Sequence, residues 1–294
     1  MGVQNLKKVE HKGIVIKNLF VERTVEQLSG CTIYIDAMYM IHRYLHARKE
    51  SETQAHLDMI LFHYLLGTQH NITFVWVFDP VAAPTLKKEE LEERALRGPS
   101  IVNKDIVLNA KELVALLGMR IIQCSAIEAE HSASLLSRQT NSYVLSADTD
   151  VLMYGGNLLV PERNGTYSFC SATNLLASLD LSQEQFVDLC LMLGTDYADK
   201  TPRVGPKRVT DIVKAGNYTL TERQLEAKKH ILLSDDDGKL PCEEEPTHFN
   251  QTKTLTFLTT LGFTSKNNLV AQLISEWDLT NALMGERTAL TEEI

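Results

Sequence analysis

Long apolar runs are missing from these 294 residues. None approaches the roughly 18–20 residues that a membrane-spanning helix needs. The start, MGVQNLKKVEHKG, has no apolar stretch after its charges and does not read as a secretory leader. Leu6 stands where a myristoylation pattern wants Ser or Thr. Cysteine is sparse: Cys31, Cys124, Cys170, Cys190 and Cys242 are odd in number, scattered, and form no C-x-x-C. That argues against a disulfide frame or structural zinc, and for a reducing intracellular compartment. His42 and His46 are spaced four apart but lie in no H-E-x-x-H pattern, so they are poor zinc ligands. Net positive charge is absent too, at −9. A protein gripping phosphates by bulk charge would be basic. Any nucleic-acid contact must therefore use local basic patches and weaken steeply with salt. Part of the acid excess, Asp235–Asp237 and Glu243–Glu245, falls in a predicted mobile loop over 234–246, far from the basic stretches.

What is present is an alternation. Residues 32–35, 73–78, 119–123 and 142–147 read as short apolar strands, and 157–160 with 166–169 as a hairpin around Asn164-Gly165. Helical spacing occupies 39–47, 55–67, 86–97, 103–117 and 129–138 between them. Apolar strands separated by helices predict an α/β fold, with a mostly parallel central sheet flanked by helices. From about 181 the chain turns helical, with two closing helices near 251–261 and 266–276. The expected division is an α/β core over 1–180, carrying a short cap at about 80–117, and a helical region over 181–294.

Acids follow the strands: Asp36, Asp79, the pair Glu128 and Glu130, and the pair Asp148 and Asp150. One Asp after a strand is commonplace, as a turn-former or helix cap. A parallel sheet, however, sets strand ends side by side, where ligands bind. With Asp196, seven carboxylates could face one pocket, and so many anions need raised pKa values or bound cations. Oxygen ligands without His or Cys favour Mg²⁺ or Mn²⁺. Two such ions suit phosphodiester hydrolysis.

Residues 181–215 read as a helix, a tight loop and a second helix. Phe186, Leu189, Cys190 and Leu193 lie on one buried face. Gly205-Pro206 is expected to open the second helix, with Lys207 and Arg208 in its first turn as a phosphate seat. Asp196 lies on the rim of the loop.

These segments resemble the flap endonucleases, the XPG-like structure-specific nucleases. EQFVDLCLMLGTDY followed by VGPKR resembles their helix–two-turn–helix region, and MGVQ with Leu6 their MGIxGL start. Asp36 lies in YIDAMYMIHRYL, Asp79 in VWVFDP, Glu128 and Glu130 in EAEHSASLL, and Asp148 and Asp150 in SADTDVLMYG, each similar to a family acid motif. The resemblance covers 1–215 and fades after about 220. It implies that these acids and Asp196 ligate two Mg²⁺ ions, with Mn²⁺ able to substitute. It also implies that Lys87 and Arg94, seven apart, hold the scissile phosphate, and that Gly2, His42, Lys111, Gly205, Lys207 and Arg208 contact DNA.

Departures from the family pattern are specific. The segment from Arg94 to Leu117 is short for a threading arch, and the loop after Arg48 is short for a DNA-bending wedge. His42 replaces a stacking tyrosine. Lys200 and Arg203 replace Ser and Gly in the potassium-binding turn, which leaves K⁺ binding open. No sliding-clamp box or basic tail is found at the C-terminal end. The expectation is a monomeric, metal-dependent 5′ nuclease for branched or nicked double-stranded DNA in replication, repair or recombination. It would be nuclear in a eukaryote, or in the host cytoplasm or nucleus if viral, with no membrane association. An RNA endonuclease of the same superfamily and a non-catalytic junction binder are the alternatives.

Overall fold

The computed structural model describes residues 2–47, 54–80, 102–140, 142–162, 165–232, 242–245, 247–263 and 268–292. Lys87, Arg94, the helix predicted over 86–97 and the acids Asp235–Asp237 lie outside these residues.

The chain opens with a small hairpin, β1 (Glu10–His11) and β2 (Ile14–Val15), followed by β3 (Val21–Arg23). The hairpin turns at Lys12 and Gly13, with φ of 49° and 80°; glycine meets that requirement without strain. Next come β4 (Thr32–Asp36), α1 (Ala37–Ala47), α2 (Ala55–His70) and β5 (Thr73–Phe78). After these follow α3 (Lys104–Leu116), β6 (Arg120–Cys124), α4 (Ala129–Thr140), β7 (Tyr143–Leu145) and the short α5 (Asp150–Met153). Strands β8 (Leu158–Pro161) and β9 (Tyr167–Cys170) form the predicted hairpin. The remainder is α6 (Ala172–Leu179), α7 (Gln183–Leu193), α8 (Val209–Ala215), α9 (Glu222–Ile231), β10 (Cys242–Glu245), α10 (Gln251–Thr260) and α11 (Leu269–Glu292).

One eight-stranded sheet runs in the order β10-β6-β5-β4-β7-β8-β9-β3. Its centre, β6 through β8, is parallel; β10, β9 and β3 pair antiparallel at the flanks. Period-two alternation sorts the central side chains between two cores. Tyr34, Val75, Val77 and Val144 enter one, packed against α4 through α9. Ile33, Ile35, Phe74, Trp76 and Phe78 enter the other, under α1, α2 and α3. Leu258, Leu273 and Trp277 from α10 and α11 join the second core, so residues on both sides of position 180 share it.

Several elements differ from the sequence expectation. Residues 242–245 are not loop: β10 is an edge strand, paired so that Cys242 faces Cys124 and Glu245 faces Ile121. Three consecutive glutamates have low strand propensity. What holds them is cross-strand charge, with Arg120 chelating Glu244 at 2.7 and 2.9 Å and Lys111 meeting Glu245 at 2.7 Å. This half of the acidic block therefore lies against basic residues. The β1–β2 hairpin and β3 were also not foreseen; two- and three-residue strands carry no measurable periodicity. Finally, α11 extends well past the predicted 266–276.

The helical region holds a buried charge. Asp188, on the inner face of α7, accepts at Oδ2 from Tyr218 Oη at 2.5 Å and from Lys228 Nζ at 3.0 Å, with the same ammonium 2.8 Å from Oδ1. A buried carboxylate left without its cation is costly. Lys228→Ala should therefore lower the unfolding free energy by about 2 kcal/mol in urea titrations. Asp188→Asn/Lys228→Ala together should recover part of that loss, and no loss in the single variant would show the pair to be incidental.

Candidate active site

Because β6, β5, β4 and β7 are parallel, their carboxyl ends share one edge. Asp36 ends β4, Asp79 follows β5, Glu128 and Glu130 flank the start of α4 after β6, and Asp148 and Asp150 follow β7. Carboxylate oxygens of Glu130, Asp148 and Asp150 lie within 4.8 Å of one another, the one such acid group among the described residues.

Three of these acids, Asp36, Asp79 and Asp148, also bond a backbone N–H at a helix start on this edge. Asp36 Oδ1 accepts from Tyr39 N at 3.0 Å, in the first turn of α1. Asp79 Oδ1 accepts from Ala129 N at 2.8 Å, at the start of α4. Asp148 Oδ1 accepts from Asp150 N at 3.0 Å, at the start of α5. Capping and gathering into one site are therefore the same event. Ser146 ties two acids together, donating from its hydroxyl to Asp36 Oδ2 at 3.3 Å and accepting from Asp148 N at 3.1 Å.

Burial, with Asp79 and Asp148 close by, pushes the Asp36 carboxyl up to about 8, against the opposing pull of Tyr39 N–H and the Ser146 hydroxyl. The donor set is all oxygen, crowded and mutually repelling. It fits a hard divalent cation, which would relieve that repulsion.

Glu128 is held from behind. Tyr197 Oη donates to Glu128 Oε2 at 2.6 Å, and the Tyr154 and Tyr197 hydroxyls lie 2.6 Å apart. Burial, then Tyr197 and the charges of Asp150, Glu130 and Glu128, push the Tyr154 hydroxyl well above its ordinary range. His131 stacks on the Tyr154 ring at 4.1 Å. Asp196, half-buried, precedes Tyr197 in the loop after α7, outside the three-acid group.

Gly2 is buried beside the acids. A Cβ there would meet Asp148 Oδ1 at 2.0 Å, and φ is +89°, so any side chain would both clash and strain the backbone. Lys111 is occupied by Gln123 at 2.9 Å and Glu245 at 2.7 Å, over the Phe78 ring. Gln123 in turn donates to Asp79 O at 2.6 Å, which puts Lys111 one side chain from that strand end. His42 stacks on His46 along α1.

The second helix of the helix–loop–helix unit begins later than expected, at Val209. Lys207 lies in the preceding turn and Arg208 at the helix cap, both exposed. Arg208 N and Val209 N already bond Gly205 O, so the phosphate seat is built from the two cations more than from those amides. Arg203, in place of a glycine, keeps a φ of 64°. The turn thus retains a left-handed backbone at a cost of about 1 kcal/mol.

Sequence reasoning missed Tyr154, Tyr197, Ser146 and Gln123. Tyr197 stands next to Asp196 in LGTDY and Ser146 two residues before Asp148 in SADTD, so adjacency to the acids was the available signal. Tyr154 and Gln123 carried none.

Family comparison agrees with this geometry. A model described as the XPG N-terminal domain matches residues 1–100, and one described as the XPG I-region matches 118–196. Flap endonuclease 1 of Branchiostoma floridae is 27% identical over 290 residues, covering 83% of this chain and 72% of the relative. The structure of flap endonuclease-1 from Methanococcus jannaschii superposes with a TM-score of 0.67 at 18% identity, covering 89% of this chain and 97% of that one. The catalytic core of Rad2 in complex with DNA substrate gives 0.63 at 20% identity, over 87% and 97%.

The raised Asp36 carboxyl has a definite pH consequence. Its pKa in the folded protein lies above that in the unfolded chain, so between about 4 and about 8 the folded state holds a proton that the unfolded state has released. Stability of the metal-free protein is then full below this window and falls as pH rises through it. A divalent cation bound at this edge would take the place of that proton. The rise in Tm on adding Mg²⁺ should be larger near pH 8 than near pH 5.5, and Asp36→Asn should flatten the difference. An equal rise at both pH values in the unmodified protein would contradict this assignment.

Proposed function

This chain belongs to the XPG family of structure-specific 5′ nucleases, and on that premise we propose that it is a divalent-metal-dependent hydrolase of branched or nicked DNA. The observation that carries the reading is the meeting of Glu130, Asp148 and Asp150 at the carboxyl edge of the parallel sheet, with Asp36 and Asp79 at neighbouring strand ends.

In this reading Asp36, Asp79, Glu128, Glu130, Asp148, Asp150 and Asp196 hold a pair of Mg²⁺ ions, directly or through water. Once bound, such ions lower the pKa of an attacking water and offset charge on the attacking and leaving oxygens. The chain's own part is to fix the carboxylates before substrate arrives. Their helix-cap hydrogen bonds limit reorganisation. Lys87 and Arg94 neutralise the scissile phosphate and orient it for in-line attack, leaving a 5′-phosphate and a 3′-hydroxyl. Lys207 and Arg208 grip the backbone of a duplex arm. Gly2 keeps the chain start clear of Asp148. His42 would offer its ring to a base, and Lys111 would reach DNA only after leaving Glu245. Substrates are 5′ flaps, nicks or junctions met in replication, repair or recombination. The protein acts as a monomer where the cell keeps its DNA. No helix among the described residues is long and apolar enough to cross a membrane.

The test is product mapping on end-labelled flap, nicked and four-way-junction DNA and on matched single-stranded RNA, with Mg²⁺ and with chelator. Asp148→Asn should abolish cutting while flap binding persists. Binding without Mg²⁺-dependent cutting by the unmodified protein would favour a junction binder, and preferential RNA cutting a ribonuclease. Lys87→Ala should reduce turnover strongly and affinity weakly. Lys207→Ala should do the opposite and reduce the slope of log affinity against log salt by about 1.

A further inference from the structure

Three acid-bearing elements converge on two tyrosines that are not themselves metal ligands. Tyr197 follows Asp196 in the loop after α7. Tyr154 caps α5, whose first residue is Asp150. Glu128 directly precedes α4, which carries Glu130 in its first turn. The hydroxyls join these three elements: Tyr197 donates to Glu128 Oε2 at 2.6 Å, and the two tyrosine oxygens are 2.6 Å apart. Since the Tyr197 proton is directed at Glu128, Tyr154 is the donor to Tyr197. A chain of hydrogen bonds polarised one way strengthens its terminal bond.

Both rings are fixed. Tyr197 is fully buried and Tyr154 is 2% exposed. His131, also fully buried, lies parallel to the Tyr154 ring at 4.1 Å, and His230 packs against Tyr197 at 5.4 Å. The Tyr197 backbone is tied as well, donating to Thr195 Oγ1 at 3.2 Å and accepting from Arg223 Nε at 2.9 Å. An aromatic core position needs no hydroxyl, and burying two hydroxyls is costly unless they are paired. Their pairing here ends on a carboxylate of the candidate site.

We propose that Tyr197, backed by Tyr154, is a positioning pair for the metal site: it fixes the orientation of the Glu128 carboxylate through Oε2 and locks the Asp150 and Asp196 segments in register with it. This rests on the metal-site reading above. Carboxylate ligands are commonly oriented by such outer partners, whose loss typically costs about 10–100-fold in metal affinity or activity. A Phe in either place keeps the ring packing and removes only the hydroxyl.

The experiment is calorimetric titration of the full-length, DNA-free protein with Mn²⁺, alongside Tm and steady-state cleavage of a 5′-flap DNA. Tyr197→Phe is expected to weaken Mn²⁺ binding by about 10-fold and to lower kcat at saturating Mg²⁺, with KM for flap DNA unchanged. Tyr154→Phe should have a smaller effect in the same direction, and the double Phe variant should match Tyr197→Phe. In a Glu128→Gln background, Tyr197→Phe should add no further loss of Mn²⁺ affinity. If Tyr197→Phe lowers Tm sharply, the Tyr154→Phe titration, alone and in the Glu128→Gln background, carries the test. Unchanged Mn²⁺ affinity in a folded Tyr197→Phe protein overturns the positioning role, as does the same loss with or without Glu128. If the unmodified protein binds no Mn²⁺, the metal-site reading fails before the tyrosines are at issue.

Discussion

Mutual repulsion among carboxylates crowded at one sheet edge is the constraint on which this architecture turns. The parallel strands bring the acids together, and the fold answers with partial positive charge. Helices α1, α4 and α5 all start at this edge, and each has an Asp accepting from a first-turn N–H. A helix start carries roughly half a positive charge, worth at most about 2 kcal/mol to a nearby anion in a partly buried setting. Three such ends do not balance the cluster, since Asp36 is still driven up to about 8. The remaining imbalance is of the kind that a divalent cation would correct, and it links the electrostatics of the site to the stability of the chain.

The N-terminal segment sets the spacing between that centre and the basic turn. Gly2 touches Asp148, Gln4 N bonds Gly194 O at 2.9 Å, and Glu10 N bonds Pro206 O at 3.2 Å. His11 then bridges α8, with Nδ1 facing Asp211 at 3.2 Å and Nε2 facing Lys214 at 3.2 Å. Ten consecutive residues, 2 through 11, thus span from the acids to the turn that holds Lys207 and Arg208. A strap fixed at both ends holds the acid cluster and the basic turn at a set separation.

Much of this was legible in the sequence, for physical reasons. Strands such as TFVWVF, buried on both faces, leave continuous apolar runs, and the acids that end them are visible as punctuation. Asp36, Asp79 and Asp148 do bond helix-start amides, as the commonplace reading of an acid after a strand has it, and a carboxylate that uses one oxygen so still has a second. Features held by tertiary charge or by unpatterned hydroxyls were not legible. Glu243–Glu245 form a strand because Arg120 on β6 and Lys111 on α3 offset their charge. Tyr154 reads as one more core aromatic until its oxygen is found 2.6 Å from Tyr197. The start of α8 at Val209 was also hidden, since residues 205–208 form a turn closed by Arg208 N on Gly205 O, and Gly-Pro does not separate such a turn from a first helical turn.

The edge strand β10 has a consequence for how the chain is made. Strand β6 is complete at residue 124, but its outer partner ends at residue 245. Until that later stretch leaves the ribosome, β6 presents a bare row of amides and carbonyls beside Ile121 and Ile122, the kind of template on which other chains add. Arg120 and Lys111 sit on and beside that bare edge, unneutralised by Glu244 and Glu245. Exposed cations are what natural proteins use to discourage stray pairing. The two basic groups that later bind β10 in place are thereby also gatekeepers of the nascent sheet.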